Sequence, residues 1–286
     1  MNLTKKRLII YLGLSFGMAW LIFFIFIFTG HTWTGSSPEM LSLVSLGMLA
    51  PAIAHVITRK ITNEGFRLIG EKSMMLGIDL KGKKWIIFLL AMFLPVVYST
   101  LGDGILWLVF PEAFGETEFS LFVVIIYPLI AVVQGVVLSF AAFGEEFGWR
   151  GYMMPKLIEL MGMPQAIIVG GIIWGLWHAP LTCVGHNFGM DYPGFPYLGI
   201  ILMCLFCTAL GTVLMYVTIK TNSIWPAAFM HAVNNSMPSA MLLFTRTDVE
   251  VPMWINTLSN IPLILIAILC FFLMMNNMKL TQEHTR

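Results

Sequence analysis

Long apolar runs separated by short polar breaks constrain this chain more than any single motif does. Eight stretches, approximately residues 8–29, 38–58, 84–110, 122–153, 164–183, 196–219, 223–244 and 255–276, are each near the length of about 20 apolar residues that a helix needs to cross a bilayer. In lipid the backbone must satisfy its own polar groups, and the alternation of a β-barrel is absent. The expectation is therefore all-α: a polytopic integral membrane protein of about eight transmembrane helices enclosing a polar intramembrane cavity. Composition agrees, because only 11% of the 286 residues are charged, against roughly 25% in soluble domains. The first run follows Lys5, Lys6 and Arg7 as a signal peptide would, yet it continues to about Thr29 and reads as a retained span. Asp103, between Gly102 and Gly104, predicts a broken or partly inserted third span and a structural role for that acid. No soluble domain or repeat interrupts the chain, so residues 1–286 read as a single membrane domain.

Basic residues set the expected topology. With the N-terminus inside, Lys5, Lys6, Arg7, the loop 59–84, Arg150, Lys156, Lys220, Lys279 and Arg286 lie on or toward the cytoplasm, and only Arg246 falls outside. Both termini are then cytoplasmic, which an even number of crossings satisfies. A net charge of +1 gives no field for nucleic acid. The four cysteines, Cys183, Cys204, Cys207 and Cys270, lie in or beside apolar runs, so neither a secreted disulfide framework nor a soluble redox CxxC fits them.

Rare polar groups interrupt three of the runs. The first set is Glu145-Glu146-Phe147-Gly148-Trp149-Arg150, at the end of the apolar stretch 119–143. A charge near the bilayer centre costs on the order of 2.5 to 3.5 kcal/mol, so such groups are usually paired and usually functional. Glu146 and Arg150 are four apart and can pair on one helix face, which leaves Glu145 without a local partner. The second is His178, after Trp174 and before Pro180; the third is His231 with Asn234 and Asn235. Each set has a bland alternative: a salt bridge that orients a helix, a histidine bonded to its neighbour, polar glue between helices. From the cytoplasmic edge of each span, a rise of about 1.5 Å per residue places Glu145 roughly 16 Å deep, His178 about 20 Å, His231 about 12 Å and Asn235 about 18 Å. Agreement in depth across three spans favours one functional layer.

A carboxylate, two imidazoles and a carboxamide can form a hydrolytic site. Glu145 can hold and deprotonate a water with His178 orienting it or moving its proton, and His231 with Asn235 can donate to the resulting oxyanion. Glu145, His178 and His231 can alternatively hold a metal such as zinc, although the HExxH spacing is missing. Ser139, Ser223 and Ser236 do not lie in a GxSxG elbow.

On these motifs the stretch 120–245 resembles the CPBP family of intramembrane proteases, also called the Abi or type II CAAX prenyl endopeptidase family. The family's EExxxR is matched by Glu145, Glu146 and Arg150, its FxxxH by Trp174 and His178 with tryptophan in the aromatic place, and its HxxxN by His231 and Asn235. The resemblance implies a catalytic core at 120–245. It makes Glu145 with His178 the water-activating pair and His231 with Asn235 the oxyanion donors, supported by Glu146, Arg150 and Trp174. Members have been described as metalloproteases and as glutamate proteases; the HxxxN pair suits hydrogen bonding, so no cofactor is assigned and zinc stays open. The resemblance further implies contact with membrane lipid and a membrane-associated peptide or protein substrate, prenylated in the eukaryotic branch, with no nucleic acid and no obligate partner. Compact loops resemble the prokaryotic branch, hence a prokaryotic plasma membrane, where members process peptides or confer immunity to bacteriocins. Two other classes stay in view: a non-catalytic immunity or scaffold protein, and a proton- or cation-coupled transporter.

Overall fold

The computed structural model describes residues 2–30, 38–70, 72–114, 121–241, 246 and 248–284. Regular structure there is helical: α1 (Leu3–Phe28), α2 (Pro38–Ile61), α3 (Lys84–Val109), a 3₁₀ turn (Pro111–Ala113) and α4 (Leu121–Gly148). A π-helical turn (Trp149–Met153) leads into α5 (Met154–Met161), then α6 (Met163–Trp177), α7 (Ala179–Thr182), α8 (Tyr197–Thr221), α9 (Trp225–Met241), α10 (Met253–Leu258) and α11 (Ile261–His284). Each of the eight apolar runs contains helix. Among the described residues five helices are long and apolar enough to span a bilayer, or six if the bent pair 126–137 and 139–161, inclined by 61°, counts as one span. The runs 164–183 and 223–244 instead hold the shorter α6 and α9, with α6 ending at Trp177 just before His178. Residues 242–245 lie outside the described residues. Asp103 does not break its segment, since α3 runs unbroken from Lys84 to Val109; Gly102 instead lets the helix back onto the Ser259 carbonyl.

Three packings position the polar cluster: α4 against α9, α4 against α2, and α6 against α8. The α6–α8 contact is backbone to backbone. A Cβ on Gly171 would meet the Cα of Thr208, and one on Gly175 would collide with the backbone of Cys204. Small residues allow this approach, which packing rather than hydrophobicity must drive inside lipid.

Charge gathers at one end of the bundle. Lys156 Nζ and the Tyr152 hydroxyl donate to Glu64 at 2.6 and 2.8 Å, and Arg7 Nε lies 3.5 Å from the same carboxylate. Thr4 donates to Glu159 at 2.7 Å. The start of α1, the end of α2 and α5 are thereby tied together. Burial pushes the Glu64 carboxyl up, but the bonds from Lys156 and Tyr152 and the charges of Lys156 and Arg59 outweigh it and hold it below the usual carboxylate range.

Two predictions follow from this packing. Gly171→Ala or Gly175→Ala should destabilise the protein by about 1–3 kcal/mol through overpacking, whereas Gly13→Ala, which meets nothing within 4 Å, should not; chemical unfolding in micelles measures this, and equal losses at all three would refute the close-approach account. A carboxylate depressed in the fold stabilises fully above its unfolded pKa of about 4.3 and loses that stabilisation as pH falls. Glu64→Gln should therefore lower the melting temperature at neutral pH and converge on wild type in acid; a difference that does not shrink would contradict it.

Candidate active site

Successive helical residues point about 100° apart, so Glu145 and Glu146, in the last turn of α4, serve different partners. Both are buried, at 1% and 0% exposure, which requires that each be satisfied within the protein. Glu146 faces α9: its Oε1 accepts from Arg150 Nη1 at 2.9 Å and from His231 Nδ1 at 2.8 Å. Glu145 faces α6: its Oε2 accepts from Trp174 Nε1 at 2.6 Å and from Trp149 Nε1 at 3.2 Å. Among the described residues no protein group donates to the other Glu145 oxygen. Trp149 and Arg150 sit in the π-helical turn, a feature frequent at functional sites.

Trp174 joins these partners. Its ring lies under the Arg150 guanidinium, 4.2 Å from centroid to carbon, and meets the His231 ring edge to face at 5.3 Å. Its carbonyl accepts from His178 Nδ1 at 2.9 Å. A carbonyl can only accept, so the His178 proton is on Nδ1 and Nε2 presents a lone pair. His231 likewise gives its Nδ1 proton to Glu146, leaving Nε2 for other work. Behind His178 stands an aromatic wall: Trp177 meets it edge to face at 4.8 Å, and Trp20 of α1 donates to the Trp177 carbonyl at 3.0 Å.

Contacts therefore bring Glu145, Glu146, Arg150, Trp174 and His231 into one buried cluster, with His178 one helical turn from Trp174. Asn235 does not join its hydrogen bonds. It is exposed, and its Oδ1 accepts from Asn234 Nδ2 at 3.2 Å, while Asn234 in turn accepts from the Tyr98 hydroxyl at 2.6 Å. That orientation leaves the Asn235 Nδ2 group to donate outward. As for zinc, among the described residues no three His, Cys, Asp or Glu side chains converge as a metal would require. The donors present do not fit one.

Residues 119–237 match the profile of the Rce1-like type II CAAX prenyl endopeptidases. That match covers less than half of the chain. A CAAX prenyl protease 2 of Methanococcus maripaludis is 43% identical over 51 residues, which is 18% of this chain and 19% of that relative. The matched segment includes the whole cluster, and sequence reasoning missed three neighbours of it, one of which, Tyr98, lies outside that segment. Trp149 was legible from its spacing of four from Glu145 on the same helix. Tyr98 carried no signal, because a tyrosine in an apolar run is unremarkable. His186, stacked on His178 at 5.9 Å, comes from the loop after α7 and was equally silent.

Tryptophan at position 174 supplies an indole donor that phenylalanine lacks. Trp174→Phe should keep the ring against Arg150 and lose the bond to Glu145. A hydrogen bond to a charged group contributes about 1.5–3 kcal/mol, so turnover should fall by about tenfold or more with the fold intact. Wild-type turnover in this variant would show that the indole does not hold the carboxylate.

Proposed function

We propose that this chain is an intramembrane endopeptidase that hydrolyses a peptide bond of a membrane-associated, lipidated peptide or protein. The observation that supports this most is the state of Glu145: one oxygen is fixed by two indoles and the other has no protein donor among the described residues. Trp174, which holds the first oxygen, also orients His178 so that its Nε2 carries a lone pair. Glu145 takes a proton from water with His178 orienting that water, and the hydroxide attacks the carbonyl. The oxyanion is received by Nε2–H of the His231 imidazolium, which the Glu146 carboxylate stabilises, and by the Asn235 amide. On collapse the C–N bond breaks and the proton held by Glu145 passes to the amine. Glu146 and Arg150 act through His231 and Trp174 and do not touch substrate. The relative's name, CAAX prenyl protease 2, supports a prenylated C-terminus as the substrate class. We place both termini and the loop 62–83 on the cytoplasmic side of a prokaryotic plasma membrane, where the basic residues gather.

The test uses full-length protein in nanodiscs with a lipidated peptide library, read by mass spectrometry. Wild type should cleave with and without chelator; Glu145→Gln should lower turnover about 10²- to 10⁴-fold, and His231→Ala about 10²-fold. Equal cleavage by Glu145→Gln would refute the mechanism, and loss on chelation would restore a metal. No cleavage, with peptide toxin bound intact or with proton-coupled flux, would turn the reading toward immunity or transport.

A further inference from the structure

Outside the cluster, the most unusual buried group is Arg59, in the last turn of α2 and 2% exposed. Among the described residues its hydrogen-bond acceptors include no carboxylate. Nη1 donates to the Gly65 carbonyl at 2.9 Å, Nη2 to the carbonyls of Ser73 and Lys72 at 3.0 and 3.1 Å, and Nε to His55 Nε2 at 2.7 Å. A buried guanidinium is costly, and this one is spent on organising a loop and one imidazole.

The imidazole leads toward the glutamates. A guanidinium only donates, so His55 Nε2 must accept and its proton lies on Nδ1. That nitrogen donates to the Phe147 carbonyl at 2.9 Å. The ring packs against both Phe147 and Tyr152, with centroids 4.3 and 4.6 Å away. Phe147 directly follows Glu145 and Glu146 and lies two residues before the π-helical turn, where the regular ladder of carbonyl acceptors is interrupted. The same loop also reaches α9: the Ile224 amide donates to the Met75 carbonyl and Trp225 Nε1 to the Leu76 carbonyl, both at 3.0 Å. Residues 65–70 and 72–76 thus bridge the helix that carries the glutamates and the helix that carries His231.

We propose that His55 and Arg59 are positioning residues for the glutamate pair. They fix the Phe147 carbonyl and with it the direction of the last turn of α4, so that Glu145 meets the two indoles and Glu146 meets His231. A shift of about 1 Å at a reacting group can cost about 10²-fold in rate, so this grip has consequences although neither residue touches the site. The kinetic half of the claim rests on the proposed proteolysis; the structural half does not.

Fluorotryptophan labelling separates the two halves. Trp149 and Trp174 donate to Glu145, so their ¹⁹F resonances, assigned by single Trp→Phe variants, report where the carboxylate sits whether or not the protein turns over. His55→Phe keeps an aromatic ring and removes both bonds; His55→Gln keeps a donor and an acceptor. The expected result is movement of both resonances in His55→Phe and Arg59→Lys, with Trp107 and Trp254 unmoved, and restoration in His55→Gln. Turnover should fall about tenfold or more in His55→Phe with KM unchanged, and recover in His55→Gln. Wild-type resonances in His55→Phe would overturn the proposal, as would no rescue by glutamine or movement of all tryptophans together. If His55→Phe does not fold, Arg59→Lys, which retains charge but loses the Nε bond, carries the same decision. Absence of wild-type cleavage would refute the protease reading and leave the fluorine result to decide this one.

Discussion

A single buried carboxylate oxygen, Oε1 of Glu146, takes hydrogen bonds from both Arg150 and His231, and the geometry of the interior depends on that meeting. The cost of burying charge away from water is recovered only when the partners are close and well aligned, and removing one partner of such a pair typically costs about 3–5 kcal/mol. α4 and α9 therefore cannot slide past one another freely. Arg150 is drawn back over Trp174 by the same oxygen, and His231 has its ring orientation fixed by it.

From this anchor the chemistry of the neighbouring carboxylate follows. Because adjacent residues of a helix diverge, fixing Glu146 on α9 turns Glu145 toward α6, where Trp174 and Trp149 bind one oxygen. Trp174 simultaneously receives the cation on its face, the His231 edge on its ring and the His178 proton on its carbonyl. Four of the groups proposed to act on substrate or support those that do thus share one residue, three through its indole and His178 through its carbonyl. The rigid aromatic wall of Trp177, backed by α1, keeps the His178 imidazole from turning away.

Much of this was legible in the sequence, for physical reasons. Apolar runs of sufficient length dictate helices in lipid, and polar residues inside them are rare enough that Glu145, Glu146, Arg150, His178 and His231 stand out. The Glu146–Arg150 pair was readable from a spacing of four. Other features were not, because they arise only from tertiary contact. The switch of Arg150 into a π-helical turn, the two indoles on Glu145, and the Tyr98–Asn234–Asn235 chain that leaves Asn235 exposed depend on which helices meet. The number of full-length spans was less legible: among the described residues five or six helices have the length of a crossing, and α6, which ends before His178, is shorter. Asp103 suggested a break from its flanking glycines, yet Gly102 serves a close helix contact instead.

The central claim is that Glu145 and His178 address one water. An experimental structure in lipid, at a resolution that shows ordered solvent, tests it most directly. The account predicts a water within about 2.6–3.2 Å of both the Glu145 oxygen not held by the indoles and His178 Nε2. A carboxylate and an imidazole too far apart for one water to touch both, or a Glu145 turned away from Trp174 and Trp149, would contradict it.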